Sequence, residues 1–292
     1  MKEVKVTPWR EGMTPEAGKI YSGMPNESYH GFREWNGSSM LKHALRSVES
    51  FLYEKEQEPK STLALERGGA FHLCLEGLTQ GKGMEFYQDN VLPCPTKTIL
   101  TKSWYAEKEA NSGCYCLPEA ERDAVATMSL NIHAKGSRLK LFDSGFAELS
   151  FFWIDEKTGI KCKARTDWID FGEQSGNQFI LDYKSTKNHK RKGFDREMLN
   201  YGYHFSAAFY MEGVRQVTGL PFDDFTVAAC ANTPPHEVRF YPVGRDSLDE
   251  GRSLFQDCLW KIANHEPDEE PIIEEPLDIP RYGMTIENPF EE

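Results

Sequence analysis

The stretch CKARTDWIDFGEQSGNQFILDYKST, residues 162–186, is the part of the sequence on which our prediction of the fold depends. It contains two short apolar runs that each carry an acid, with the polar, glycine-containing segment 172–178 between them. Such a segment predicts a turn between two strands. Because side chains alternate along a strand, Asp182 and Lys184 should project to the same face. Pairing of the two strands would bring Asp167 beside Asp182.

This arrangement would gather two carboxylates and an ammonium group at one point. Carboxylate oxygens suit a hard cation such as Mg²⁺, which keeps several waters and takes only one or two protein carboxylates. A lysine beside that cation could orient an attacking water or stabilise charge on a phosphate. An Asp-x-Lys triplet alone is more often part of a solvated strand face. Here it follows the apolar run 179–181, and α/β folds place their sites at the ends of such strands.

The composition of the whole chain limits its class. The chain has 292 residues, a net charge of −12 and seven scattered cysteines, a length that fits one large domain or two small ones. No apolar run is long enough to cross a bilayer, and the first residues lack a signal-peptide pattern. We therefore expect a cytoplasmic protein with reduced thiols and without a membrane partner. Without grouped cysteines, we expect neither a structural metal nor an iron–sulfur cluster.

Charge is unevenly distributed along the sequence. The net negative charge argues against a protein coated in positive charge for nucleic acid, but it leaves room for a local basic track. A basic cluster follows the candidate strand and consists of Lys187, Lys190, Arg191 and Lys192. If the chain binds nucleic acid, these side chains would hold its phosphates without reading base sequence. The compensating acids are concentrated in the proline-rich stretch 266–292.

Hydrophobic periodicity outlines the remaining elements. We expect residues 1–36 to be irregular, 37–265 to form the main domain and 266–292 to be an extended acidic tail. Helices are predicted over 39–54, 62–76, 118–132, 198–218 and 247–264, strands over 146–154, 160–171, 224–231 and 238–243, and a loop-rich excursion over 81–113.

Two further residues have both a structural and a functional interpretation. His72 follows the adjacent glycines Gly68 and Gly69, which cost a helix roughly 1 kcal/mol each and usually reflect close approach of another backbone or a ligand. His72 alone is more often a hydrogen-bonded core histidine, and the functional alternative is a metal ligand or a phosphate contact. Glu148 is either a solvent-facing strand residue or, beside Asp167, a further metal-site carboxylate.

The order of these residues resembles that of a known family. The shared set is His72, Glu148, Asp167, Asp182-Tyr183-Lys184 and the helical segment 207–210, and it is similar to the PD-(D/E)XK nuclease superfamily. Within that superfamily the chain most resembles the nuclease domain of the RecE-type enzymes, exodeoxyribonuclease VIII. The likeness is carried by FAELSFFWIDEKTGIKCKARTDWID, ILDYKST, YHFSAAFY, ESYHGFREWNGSSMLKHALRS and ALERGGAFHLCLEG. It covers about residues 21–210, and more weakly continues to 264.

This resemblance implies an α/β (α+β) fold with a restriction-endonuclease-like core, a mixed central sheet flanked by helices. It implies that Asp167 and Asp182 bind Mg²⁺, with Mn²⁺ able to substitute, that Lys184 orients the water and that His72 lies near the metal. It also implies a phage- or prophage-encoded, processive 5′-to-3′ exonuclease that acts on the ends of linear double-stranded DNA and leaves 3′ overhangs for recombination. Such enzymes form ring-shaped homo-oligomers and accompany a single-strand annealing protein.

The chain departs from the family pattern at one position. The family helix carries glutamine one turn before the tyrosine, whereas this chain has Ser206 before Tyr210. Serine is too short to reach where a glutamine would, so this departure puts in doubt a phosphate or DNA-end contact at Ser206. Tyr210 is retained as a DNA contact.

Two other functions are compatible with the same residues. One is an endonuclease or a single-strand nuclease on the same fold, which the fate of closed circular DNA would distinguish. The other is a DNA-end-binding or partner-docking protein with a vestigial site. The joint presence of His72, Asp167, Asp182 and Lys184 argues against this second alternative.

Overall fold

The computed structural model describes residues 4–58 and 61–266 of the chain. The tail predicted over 266–292 lies outside the described residues, apart from Glu266. Within the described part of the chain, no helix is both long enough and apolar enough to cross a membrane.

A mixed sheet forms the centre of the molecule. The strands in the described residues are β1 (Val6–Pro8), β2 (Lys19–Ser22), β3 (Val91–Pro93), β4 (Tyr115–Leu117), β5 (Phe146–Ile154), β6 (Lys161–Phe171), β7 (Gln178–Thr186), β8 (Asp224–Ala231) and β9 (Val238–Pro242). Seven of them pair in the order β1-β2-β5-β6-β7-β8-β9, and β3 pairs with β4 separately. Within the large sheet, β1–β2 and β7–β8 are parallel and the other neighbours antiparallel.

Helices cover both faces of this sheet. They are α1 (Asn26–Gly31), α2 (Ser38–Leu41), a 3₁₀ helix (Lys42–Leu45), α3 (Val48–Glu56), α4 (Leu63–Thr79), α5 (Gly83–Asn90), α6 (Lys102–Ala110), α7 (Glu119–Arg138), α8 (Arg191–Asn200), α9 (Tyr203–Thr218) and α10 (Arg245–Ala263). The predicted α/β fold with a mixed central sheet and flanking helices is confirmed.

Two hydrophobic cores lie on opposite faces of the sheet. One contains Phe205 and Phe209 of α9 together with Ile180 of β7. The other contains Phe71 of α4, Val125 and Met128 of α7, and Leu181 and Tyr183 of β7. Consecutive residues of β7 thus enter different cores, which explains why residues 179–181 are all apolar.

The central strands agree with the sequence prediction, but the N-terminal segment differs from it. Residues 1–36 were expected to be irregular, yet β1 and β2 lie in the central sheet, with β2 paired to β5. These strands are only three and four residues long, too short to leave a periodic pattern. The helix predicted over 39–54 is also divided, because the Ser47 side chain accepts a hydrogen bond from Ser50 N–H and caps a new helix, α3.

Two other predictions of secondary structure were wrong. The loop-rich excursion over 81–113 contains α5, β3 and α6, and α6 begins where Thr101 caps the N–H of Trp104. The helix predicted over 198–218 is broken at Gly202, which adopts a left-handed conformation (φ +59°) between α8 and α9. The helix before this break, α8, carries Arg191 and Lys192 of the basic cluster in its first turn.

Candidate active site

The site lies where β6 and β7 cease to pair with each other. The last backbone pair joins Trp168 to Leu181, and Asp167 and Asp182 are the next residues on each strand. Beyond this point β6 remains paired with β5, and β7 remains paired with β8. The backbone N–H of Tyr183 donates to Asp167 Oδ2 at 2.6 Å. The end of the strand pairing therefore forms a fork that holds both predicted acids.

Asp182 and Lys184 lie on the same face of β7, as their spacing predicts. Lys184 Nζ is 2.5 Å from Asp182 Oδ2 and 5.4 Å from the centre of the Tyr203 ring. Burial by itself would lower the pKa of Lys184, but Asp182 and Asp167 together raise it above its ordinary value. Burial raises the pKa of Asp182, with a further contribution from Asp167, although Lys184 opposes the shift. Lys184 thus remains a protonated ammonium group.

A second group of side chains meets at Asp167. His72 Nδ1, from α4, is 3.1 Å from Asp167 Oδ1 and 3.9 Å from Glu148 Oε1. Burial alone would lower the pKa of His72 and raise that of Asp167. Their mutual attraction outweighs burial, so the pKa of His72 is raised and that of Asp167 is lowered. One ligand atom from each of the three residues lies within 4.8 Å of the others. The structure therefore gathers His72, Glu148 and Asp167, while Asp182 pairs with Lys184.

The glycines that precede His72 have a local explanation. A Cβ atom at Gly69 would lie 2.3 Å from the Tyr115 ring, whereas a Cβ at Gly68 would meet no atom within 4 Å. The close approach predicted from these glycines therefore exists at Gly69 alone, and a tyrosine side chain makes it. This contact packs α4 against β4 one turn before His72.

Glu148 has an unusual backbone conformation for a strand residue. It lies between the pairs Ala147–Trp168 and Leu149–Thr166 of the β5–β6 ladder, the interval that Asp167 occupies on β6, and adopts φ +50°. A left-handed conformation at a residue other than glycine costs of order 1–3 kcal/mol and occurs most often at functional sites. Burial and the neighbouring Asp167 raise the pKa of Glu148 to about 8, and Arg165 and His72 offset part of the shift. Without a bound cation, Glu148 is therefore an acid that resists ionisation.

The donor set fits a divalent cation. Carboxylates suit Mg²⁺ and Mn²⁺, and an imidazole increases the preference for transition metals such as Mn²⁺. The buried Asp167 and the half-buried Glu148 repel each other, and a cation between them would remove that repulsion. His72, Glu148 and Asp167 are the residues that would hold it, with Asp182 at the margin.

The predicted DNA contacts lie on two surfaces. Lys187 and Lys190 are exposed in the loop after β7, and Arg191 and Lys192 are exposed at the start of α8. Ser206 and Tyr210 lie on α9, both half-buried. Ser206 Oγ donates to Ser38 Oγ at 3.2 Å, so the residue that replaces the family glutamine binds the start of α2 instead.

Sequence reasoning missed Arg165 and Lys42. Arg165 Nε donates a hydrogen bond to Ser150 Oγ at 2.9 Å and lies within ion-pair distance of Glu148 Oε2, at 3.9 Å. The alternation along β6 could have found it, because Arg165 is two residues before Asp167 and shares its face. Lys42 approaches from the 3₁₀ helix, and burial together with Lys184 lowers its pKa to about 8. No sequence spacing connects Lys42 to this site.

The fold and the arrangement of acids and lysine define a protein of the PD-(D/E)XK nuclease class. The chain belongs to the family described as "PDDEXK-like domain of unknown function (DUF3799)", which matches residues 37–274. No curated protein matches the sequence. Among solved structures, the fold is similar to that of a candidate exonuclease from Eubacterium rectale, with a TM-score of 0.57 and 18% identity over 91% of this chain and 100% of that one. The predicted PD-(D/E)XK membership is confirmed, and a nuclease is supported.

Proposed function

We propose that this protein is a divalent-cation-dependent exodeoxyribonuclease that degrades linear double-stranded DNA in the 5′-to-3′ direction. The observation that carries the proposal is the fork between β6 and β7. It places the Asp182–Lys184 pair, 2.5 Å apart, beside the acidic cluster of His72, Glu148 and Asp167. Phosphodiester hydrolysis requires two components. One is a set of acids that bind a cation, and the other is an ammonium group that stays charged.

The cation would be Mg²⁺, with Mn²⁺ as a substitute. When bound, it would supply Lewis-acid polarisation of the phosphate and a water of lowered pKa. The residues of the chain supply the rest. Asp167 accepts a hydrogen bond from the Tyr183 N–H, and Glu148 lies within ion-pair distance of Arg165, at 3.9 Å.

Lys184 has the central role among the remaining side chains. Asp182 and Asp167 raise its pKa, so as an ammonium group it can donate to a phosphate oxygen or to the attacking water. Asp182 holds the ammonium group in place from the same face of β7. A positioned donor of this type acts most strongly in a buried site, where water competes little.

The basic cluster Lys187, Lys190, Arg191 and Lys192 would hold the phosphates of the duplex. Exposed lysine and arginine side chains bind the DNA backbone without selecting sequence, which suits an enzyme that must travel along any DNA. The resemblance to RecE-type enzymes supports three further proposals: a ring-shaped homo-oligomer, a single-strand annealing protein as partner, and 3′ overhangs that serve phage recombination.

A digestion assay tests this proposal. Linear duplex labelled at its 5′ or its 3′ ends is incubated with the full chain and Mg²⁺, with Mn²⁺, or with a chelator, beside closed circular duplex and single strands. We expect cation-dependent release of the 5′ label first and intact circles. Asp182→Ala, purified identically, controls for contaminating nucleases. Cleavage of circles would indicate an endonuclease, digestion of single strands alone a single-strand nuclease, and end binding without cleavage a docking protein.

A further inference from the structure

The turn between α8 and α9 presents two aromatic side chains beside Lys184. Tyr201 follows α8 and Tyr203 begins α9, and their rings stack with centroids 5.6 Å apart and planes inclined by 25°. The inner ring, Tyr203, lies 5.4 Å from Lys184 Nζ. The outer ring, Tyr201, is 59% exposed. The stack therefore leads from the proposed reaction centre directly to solvent.

We propose that Tyr201, supported by Tyr203, is a stacking platform for a nucleobase of the DNA strand whose phosphate reaches Lys184. This subsite rests on the nuclease function proposed above. Every base has a π-face, so a tyrosine platform accepts any sequence. The base on Tyr201 would belong to the nucleotide next to the cleaved phosphate, and the stack would position that phosphate. Tyr201 is in this sense a positioning residue that binds substrate outside the chemical step.

The platform is held in place before DNA arrives. Lys42 Nζ donates to the Tyr201 carbonyl oxygen at 2.7 Å. Gly202 is in the left-handed conformation, and a Cβ there would lie 3.2 Å from Lys42 Cε. On the inner side, Tyr203 packs on Phe194, with ring centroids 6.2 Å apart. A rigid ring loses little conformational entropy when a base stacks on it, which favours binding.

The surroundings favour DNA over a protein as the occupant. The α8 helix that ends beside Tyr201 begins at the exposed cations Arg191 and Lys192, and Lys187 and Lys190 precede them. Exposed cations and an exposed aromatic ring at the two ends of one helix combine the two features of surfaces that bind single-stranded nucleic acid, and Arg196 lies between them, although Asp195 pairs with Arg191 at 3.8 Å. A second copy of the chain is the competing occupant, because Leu199 beside the turn is also 71% exposed.

The test uses duplex DNA with 2-aminopurine at the first or second nucleotide of one strand end. Ca²⁺ replaces Mg²⁺ to allow binding without turnover, and Mg²⁺ is used for kinetics. The variants are Tyr201→Ala, Tyr201→Phe and the control Trp260→Ala. Trp260 is 61% exposed but lies beside the β5–β6 turn, at the end of these strands opposite to Glu148 and Asp167. Sedimentation of each variant gives its oligomeric state.

We expect the wild type and Tyr201→Phe to quench 2-aminopurine, because stacking needs the ring and not the hydroxyl. Tyr201→Ala should lose the quenching and bind DNA roughly 5- to 150-fold more weakly. The slope of log Kd against log salt should stay unchanged, since a neutral contact releases no counterions. Trp260→Ala should behave as the wild type.

Three results of this binding test would overturn the platform. They are normal quenching and affinity in Tyr201→Ala, an equal loss in Trp260→Ala, and a change of oligomeric state that accounts for the weaker binding, which would assign this surface to a second copy. The two proposals fail differently. A wild type that digests linear duplex while Tyr201→Ala does so equally well refutes the platform alone, whereas a wild type that digests no DNA refutes the proposed function.

Discussion

Tyr183 N–H donates a 2.6 Å hydrogen bond to Asp167 Oδ2 and so ties the acid of β6 to the backbone of β7. Tyr183 lies between Asp182 and Lys184, so this bond sets the position of Asp167 relative to both. It also directs the other carboxylate oxygen, Oδ1, toward His72 at 3.1 Å. A backbone donor is fixed by the sheet and loses no side-chain entropy when it binds. The spacing of the acidic site is therefore a property of the strand fork itself.

Asp182→Ala should abolish hydrolysis and leave the fold intact. The substitution removes a proposed metal-site carboxylate and also the partner that holds Lys184 at 2.5 Å. A loss of several kcal/mol of transition-state stabilisation is expected, and each ~1.4 kcal/mol is about tenfold in rate. Initial rates on linear duplex measure the effect, and circular dichroism tests the fold.

Asp224→Ala is the matched control for this variant. Asp224 is an exposed acid at the start of β8, three residues before the partner of Asp182 in the parallel pair. Its removal should leave the rate unchanged. Near wild-type digestion by Asp182→Ala would show that the Asp182 assignment is wrong.

Lys184→Met should keep cation and DNA binding while losing turnover. Lys184 acts on the phosphate or the water and is not a cation ligand, and methionine retains much of its apolar length. Removing the ammonium charge also removes a repulsion toward an incoming cation. Calorimetric titration with Mn²⁺ measures the binding, and Lys157→Met, at the exposed β5–β6 turn, is the control. Loss of cation binding in Lys184→Met would instead indicate a structural role.

Glu148→Gln should stabilise the metal-free protein, and the gain should grow with pH. The folded state raises the pKa of Glu148 from 4.5 to about 8, so it binds this proton more tightly than the unfolded chain. The wild type therefore loses stability as pH rises from about 4.5 to about 8, and glutamine removes that loss. Each 1 kcal/mol shifts Tm by roughly 2–4 °C in domains of 150–250 residues. Thermal melts at pH 5, 7 and 9 measure the difference.

Adding Mn²⁺ should reverse the order of the two proteins at neutral pH. Glutamine cannot bind the cation as a carboxylate does, so the Tm of the wild type should rise more than that of the variant. Asp143→Asn, an exposed acid that precedes β5 and is not one of the clustered residues, serves as the control. A Tm difference independent of both pH and Mn²⁺ would show that Glu148 does not belong to a cation site.

The sequence predicts most of the site because the relevant signal is local. The strand bounds of β5 and β8 and the common face of Asp182 and Lys184 follow from alternation over a few residues. Glu148 could be named as a candidate, but its left-handed backbone could not be anticipated, because nothing in FAELSF interrupts the strand pattern.

The remaining parts depend on contacts that are distant in sequence. His72 reaches Asp167 only because α4 packs on one particular face of the sheet, and Lys42 reaches the α8–α9 turn from a 3₁₀ helix 159 positions earlier in the chain. The break at Gly202 was hidden by a helical pattern that is continuous on both sides. Periodicity identifies which face of an element is buried but not which element covers it.

Removing the acidic stretch should strengthen DNA binding, and more so at low salt. Residues 266–278 carry seven acids, a charge that could compete with DNA for Lys187, Lys190, Arg191 and Lys192. Truncation after Asn264 leaves α10, which ends at Ala263, complete. Competition between charges weakens as salt screens it, with a Debye length of about 10 Å at roughly 0.1 M. Titration of labelled duplex at 50 and 300 mM salt measures the effect, and a full-length chain with these acids changed to their amides separates charge from length. Equal affinity of the truncated and intact chains at low salt would rule out competition and leave partner docking or solubility as the role of this stretch.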